Sequence, residues 1–204
     1  ELVLDEHDKM SGVAVERPAV GLLAHEGIEI DREGSVYVVD EFRGQTSGYG
    51  GGIYKFVPDN FGDLTSGKLY ALKVTGDDGV GQGEWVGPID AANAAISGTA
   101  AGGTGYQRPE DLQIIGSTLY VAVTEGVGYA GRVLAINLRS MEVSNYVKPG
   151  MNAPVENKAA GVTGFAKVDN LAVTPDGKLV MVEDNVPSDI WIATEAHDRD
   201  GVAE

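Results

Sequence analysis

The chain has 204 residues, enough to bury a sizeable core in one domain, and its 31 acidic against 15 basic residues leave a net charge of −16. That balance argues against nucleic acid, whose binding needs a basic footprint, and against an anionic membrane surface, while it suits hard cations or plain solubility. With no cysteine there is no disulfide, thiolate ligand or cysteine nucleophile, and no apolar run reaches the roughly 18 residues of a membrane span.

In chain order, residues 1–20 mix charged and apolar residues without a clear period, broken by Pro18. Residues 21–41 read as a hairpin, 43–52 as a glycine-rich loop, 52–57 as a third strand and 68–74 as a fourth. From Thr75 to Gln107 the chain is rich in Gly, Ala, Asp and Ser, with Trp85 as its obvious anchor and residues 89–96 as a short helix. A second hairpin spans 108–125, followed by strands at 131–138 and 142–148. After a loop at 149–167, a third hairpin spans 168–184 and a further strand 189–193.

The three hairpins carry one pattern. Glu26 and Glu41, Glu110 and Glu125, and Asp169 and Asp184 each stand fifteen positions apart. Asp176-Gly177 has the chemistry of a two-residue turn, which pairs Asp169 with Asp184. Centring the first hairpin on Glu33-Gly34 pairs Glu26 with Glu41, and the second pairs Glu110 with Glu125. Side chains alternate along a strand, so Glu26 shares a face with Ile28 and Ile30, and Glu41 with Val39 and Tyr37. Likewise Glu110 goes with Leu112 and Ile114, Asp169 with Leu171 and Val173, and Asp184 with Val182 and Val180. Opposed like charges destabilise a sheet, and charges beside buried surface need partners; a bound cation answers both. The plainer alternative is that acids flank strands because strand ends meet water.

Short strands in fours, glycine-rich turns and little helix predict an all-β fold, a β-propeller of about three four-stranded antiparallel blades. The chain would be a single partial domain over 1–204, its blades beginning near 21, 108 and 168. The repeat intervals exceed a minimal blade of about 40–45 residues because the loops are long. Such an arrangement gathers the six acids at one end of a central channel as candidate metal ligands. Three blades leave the ring incomplete.

Ala24-His25-Glu26-Gly27, Val38-Val39-Asp40-Glu41, Gly51-Gly52-Ile53-Tyr54-Lys55-Phe56, Arg108-Pro109-Glu110-Asp111 and Asp169-Asn170-Leu171-Ala172-Val173-Thr174-Pro175-Asp176-Gly177 together resemble the PhoX-type alkaline phosphatases and their DUF839 relatives, over roughly residues 20–195. The resemblance implies a propeller phosphomonoesterase using calcium and iron, periplasmic or extracellular, acting on small phosphate esters. By position it implies that Glu26 and Glu110 are metal ligands and that Arg108 contacts phosphate, with His25 as a further substrate-binding candidate. Arg108 could equally form a salt bridge to Glu110 or Asp111, and His25 could be a hydrogen-bonded scaffold residue. The family's earlier cysteine-bearing segment and its later ring-closing segment have no counterpart in this sequence. The chain is thus expected to be the middle of such a protein, with remaining segments or a protein complex as its partner.

Other motifs carry less. Gly62–Lys68 imitates a phosphate-binding loop, but Leu69 stands where Ser or Thr is needed, so it reads as a turn. Asp198-Arg199-Asp200-Gly201 resembles part of a calcium loop with Ala196 at the first ligand position, and reads as an acidic tail. The alternative function is a non-catalytic calcium-binding propeller module acting as a surface or accessory subunit. A propeller lactonase with a central cation is a third reading.

Overall fold

The computed structural model describes residues 1–4, 7, 11–126, 128 and 130–193; the acidic tail around Asp198 lies outside them. Among the described residues fourteen strands appear in chain order: β1 (Leu2–Leu4), β2 (Gly12–Ala14), β3 (His25–Ile30), β4 (Val36–Asp40), β5 (Ile53–Pro58), β6 (Gly67–Thr75), β7 (Gly81–Val86), β8 (Gln107–Ile115), β9 (Thr118–Glu125), β10 (Arg132–Asn137), β11 (Glu142–Val147), β12 (Val168–Val173), β13 (Leu179–Glu183) and β14 (Ile190–Ala193). The same residues form two short α-helices, α1 (Gly44–Ser47) and α2 (Ala94–Ala100). The expected helix at 89–96 forms five residues later, after Asp90 caps a short 3-10 turn by accepting from the Ala92 N–H. Within the 62–68 stretch read as a turn, residues 62–66 lie in the β5–β6 connection, and Gly67 and Lys68 already open β6.

The predicted three separate blades are not what the chain forms. One continuous nine-stranded sheet runs β3-β4-β5-β6-β7-β11-β10-β9-β8, with β12-β13-β14 as a smaller sheet and β1-β2 as a ribbon. The large sheet curls until its edge strands β3 and β8 meet, giving a nearly closed, barrel-like shape. The strand that overturns the blade expectation is β7. It pairs with β6 along its length and reaches β11 through Glu142 opposite Gln82 and Val143 opposite Gly81, so the first two strand quartets fuse. Two glycines in six residues hide this strand from propensity reasoning. One is required by packing: a Cβ on Gly83 would stand 2.9 Å from the Met141 carbonyl oxygen.

Alternation along the strands fills three apolar layers. Tyr37, Val39, Ile53, Leu72, Leu112, Leu119, Val121, Val123, Leu134 and Ile136 point inward to one core. On the outer side, Val36, Val38, Tyr54, Phe56, Leu69 and Ala71 pack beneath Val20 and Ala94. Tyr120, Ala122 and Val133 pack outward against Leu171, Leu179 and Met181 of the small sheet. Buried on both faces, β4 therefore reads as an apolar run from Val36 to Val39 before it ends on Asp40.

The hairpin registers also differ from the two-residue expectation. Asp31 opposes Ser35 and Thr174 opposes Lys178, leaving three-residue loops that end on Gly34 and Gly177, each at φ +86. This is the three-residue turn in which glycine takes the left-handed position. The second hairpin turns on Gly116-Ser117, with Ile115 opposite Thr118. Each first strand also bulges near its acid. His25 thus opposes Asp40, Gln107 opposes Glu125, and Val168 opposes Glu183, in place of the acid-to-acid pairs. The inferred faces hold for Val39, Tyr37 and Leu112 but not for Ile28 and Ile30, which are 59% and 56% exposed on edge strand β3.

If Gly83 is the packing hinge of the seam, Gly83→Ala is expected to cost roughly 1–3 kcal/mol, the range for overpacking. A lower urea midpoint at unchanged slope is the check.

Candidate metal centre

Three carboxylates converge where β3, β4 and β8 meet. Glu26, Glu41 and Glu110 each offer an oxygen lying within 4.8 Å of the other two, with Glu26 exposed, Glu41 half-buried and Glu110 buried. Two backbone features bring them there. Gly27 lets β3 lie against β8: a Cβ on it would stand 2.6 Å from the Glu110 carbonyl oxygen and 2.7 Å from Asp111 Cα. On the other side, the Glu41 N–H donates to the Ala24 carbonyl at 2.8 Å, closing the hairpin mouth. The third hairpin repeats this closure, the Asp184 N–H donating to the Lys167 carbonyl at 2.9 Å. Arg108 and Lys167, each two residues ahead of its acid, both adopt left-handed backbone, at φ +54 and +50. These residues rarely take that conformation, so the bulges that aim Glu110 and Asp169 are specific features of the fold.

Electrostatics tie the rest of the predicted set to this point unevenly. Asp169 is pushed above the usual carboxylate range by burial, then by the charges of Asp184 and Glu26, with Glu41 adding and Arg108 opposing. Glu110 is pushed up to about 7, first by burial and further by Glu41 and Asp169, against the lowering effect of Thr124 and Arg108. Glu125 behaves differently. Arg43 grips it from Nε at 2.9 Å and Nη2 at 2.8 Å, and that pairing holds it below the usual carboxylate range.

Arg108 bridges the triad: its Nη2 lies 2.7 Å from Glu41 Oε1 and 2.9 Å from Glu110 Oε1. The salt bridge to Glu110 is therefore formed. His25 Nε2 donates to the Gly21 carbonyl at 2.8 Å, a scaffold bond that ties the ring to the chain ahead of β3. Asp184 is exposed just past β13.

Four residues that support the site were not among the site residues the sequence predicts. Asp40, 3% exposed, accepts from the Ala24 N–H through Oδ1 and the Gly51 N–H through Oδ2. Thr124 Oγ1 stands 2.9 Å from both Glu110 Oε1 and the Val168 carbonyl, with one hydrogen for the two. Asp111 accepts from the Leu171 N–H at 2.8 Å, stitching the small sheet to β8. The fourth is Arg43. A signal existed for the first two: Asp40-Glu41, Thr124-Glu125 and Glu183-Asp184 are polar doublets ending the second strand of each hairpin. The first member of each is buried and bonds the neighbouring backbone.

A cluster of hard carboxylate oxygens fits a hard cation. Such ions take carboxylates in flexible geometry, and a positive charge there would stabilise the ionised form of Glu110, which burial alone disfavours.

A family model described as alkaline phosphatase PhoX matches residues 3–201. The chain belongs to the PhoX family. The structure of Pseudomonas fluorescens PhoX in complex with vanadate, a transition state analogue, is similar with a TM-score of 0.70 and 19% identity, covering 97% of this chain and 46% of that one. At that identity the likeness is one of fold, and the chain spans about half the length of that PhoX structure. No curated protein matches the chain.

Two outcomes are expected for this PhoX-family centre. In cation-free protein the folded state binds the Glu110 proton more tightly than the unfolded chain, whose carboxylate titrates near 4.5. The stability this confers is complete below about pH 4.5 and is lost as pH rises through about 7, on the order of 3 kcal/mol at 1.36 kcal/mol per unit. In chelator, the parent-minus-Glu110→Gln difference in unfolding free energy should fall over that window; a flat difference contradicts it. Secondly, Gly27→Ala should part β3 from β8 and weaken binding of a divalent cation about tenfold or more, read by calorimetry.

Proposed function

We propose that the protein takes part in metal-dependent hydrolysis of phosphate monoesters, the acidic cluster holding calcium, with iron as a second ion. Family membership supports the reaction class, and the observation that carries the site is the approach of Glu26, Glu41 and Glu110 to within 4.8 Å around a buried carboxylate. Asp169 and Asp184 extend the cluster on one side, since Asp169 feels the charges of both Asp184 and Glu26.

In this reading a bound hard cation would neutralise phosphoryl oxygens and lower the pKa of a bound water. The chain's own residues supply the rest. Glu26, Glu41 and Glu110 hold the charge at one point between β3, β4 and β8. Thr124 supports Glu110 from beneath. Arg108 offers a planar fork suited to a phosphate dianion, and its Nη2 is already anchored on Glu41 and Glu110, so it would meet the substrate with its orientation set. His25 fixes the start of β3 through Gly21 and so acts on Glu26 through the backbone.

Aryl phosphate hydrolysis by the whole protein should disappear in excess chelator and return with calcium and iron. Arg108→Lys should reduce kcat/KM about a hundredfold, since lysine cannot reproduce the fork. Chelator-independent activity, or an Arg108→Lys variant with parent kinetics, contradicts the proposal.

A further inference from the structure

Glu125 lies outside the close triad and is flanked by two guanidinium groups. Its Oε1 receives Arg43 Nη2 at 2.8 Å and faces Arg108 Nη1 at 3.9 Å, and its Oε2 receives Arg43 Nε at 2.9 Å. An anionic oxygen thus already stands between the two arginines. Their backbones are fixed relative to one another. The Gly44 N–H donates to the Tyr106 carbonyl at 2.8 Å and the Arg108 N–H to the Phe42 carbonyl at 3.0 Å, with Arg43 bridged to Gln107 between them. A Cβ on Gly44 would come within 2.8 Å of Gly105 Cα, so the two segments are in contact.

The two arginines differ in what binds them. Arg108 is 21% exposed and spent on Glu41 and Glu110, whereas Arg43 is 52% exposed and held by Glu125. The Arg43–Glu125 pair is bidentate, yet it is screened by solvent, so opening it costs less than parting Arg108 from the buried Glu110. A phosphate monoester dianion presents three non-bridging oxygens and two charges, a diester two oxygens and one charge. Beside the three converging carboxylates, the extra charge needs a further cationic donor, and a guanidinium binds a phosphate bidentately.

We propose, resting on the phosphatase reading above, that Arg43 is a second phosphate-binding guanidinium, released from Glu125 when substrate arrives, and that it selects monoester dianions over diester monoanions. Glu125 is then a placeholder anion that holds Arg43 in position between turnovers.

The test uses the whole metal-loaded protein, with inorganic phosphate and dimethyl phosphate as probes by calorimetry and p-nitrophenyl phosphate as substrate. Arg43→Gln should weaken phosphate binding about tenfold and raise KM for the monoester, with dimethyl phosphate binding unchanged. Glu125→Gln, which frees Arg43, should act in the opposite direction, tightening phosphate while retaining the metal content of the parent. If Arg43 serves only as a clasp for Glu125, both variants shift phosphate binding the same way or not at all, which overturns the proposal. Loss of metal from Glu125→Gln overturns it as well, by making Glu125 a ligand and Arg43 its counterion. A parent protein that neither binds phosphate nor hydrolyses the monoester defeats the phosphatase reading itself. A parent that does both, with variants unchanged, defeats the Arg43 proposal alone.

Discussion

Mutual repulsion among acids gathered at one end of a curled sheet is the constraint on which this structure turns. Burial at Glu110 raises the cost of its charge, and Glu41 and Asp169 raise it further. Left alone, such a cluster would push β3 and β8 apart. Arg108 counters it locally, its Nη2 between Glu41 and Glu110, and Arg43 disposes of Glu125 at the rim. The surrounding fold is built to hold the acids in spite of their charges. Asp40 secures two backbone N–H groups, Thr124 contacts Glu110, and Asp111 ties the small sheet to β8.

Much of this was legible in the residues. The repeated spacing of the six acids marked hairpin mouths, and the strands that follow each hairpin lie within a residue or two of where alternation predicts them. Of the six, Glu26, Glu41 and Glu110 do meet, and Asp169 senses Glu26, Glu41 and Asp184. The architecture was misread because β7 carries glycine where a strand signal needs bulk. Its pairing with β11 requires a missing side chain at Gly83, and absence of a side chain leaves no periodic trace. The register was misread because Asp-Gly and Glu-Gly suit two-residue and three-residue turns alike. Only the tertiary fit chooses between them.

Arg43 was illegible for a different reason. It follows Phe42 in a glycine-rich loop and contacts Glu125 across 82 positions of sequence. No local pattern encodes such a pair. The close packing of residues 42–44 against 105–108 creates it, and that packing depends on glycines at 44, 51 and 105.

The contact between β3 and β8 is a mechanical joint. Where ladder bonds join neighbouring strands elsewhere in the large sheet, this junction rests on a missing Cβ at Gly27, a 3.3 Å bond from the Ile114 N–H to Glu29 Oε2, and the facing acids. It is the barrel's fastening, and an ion lodged among Glu26, Glu41 and Glu110 would act as its rivet. Occupancy would then govern how tightly the cylinder is shut as well as what it can bind, because a ligand that prefers the folded form stabilises whatever motion it must close. A stripped protein would loosen along this one line first, with the rest of the wall intact.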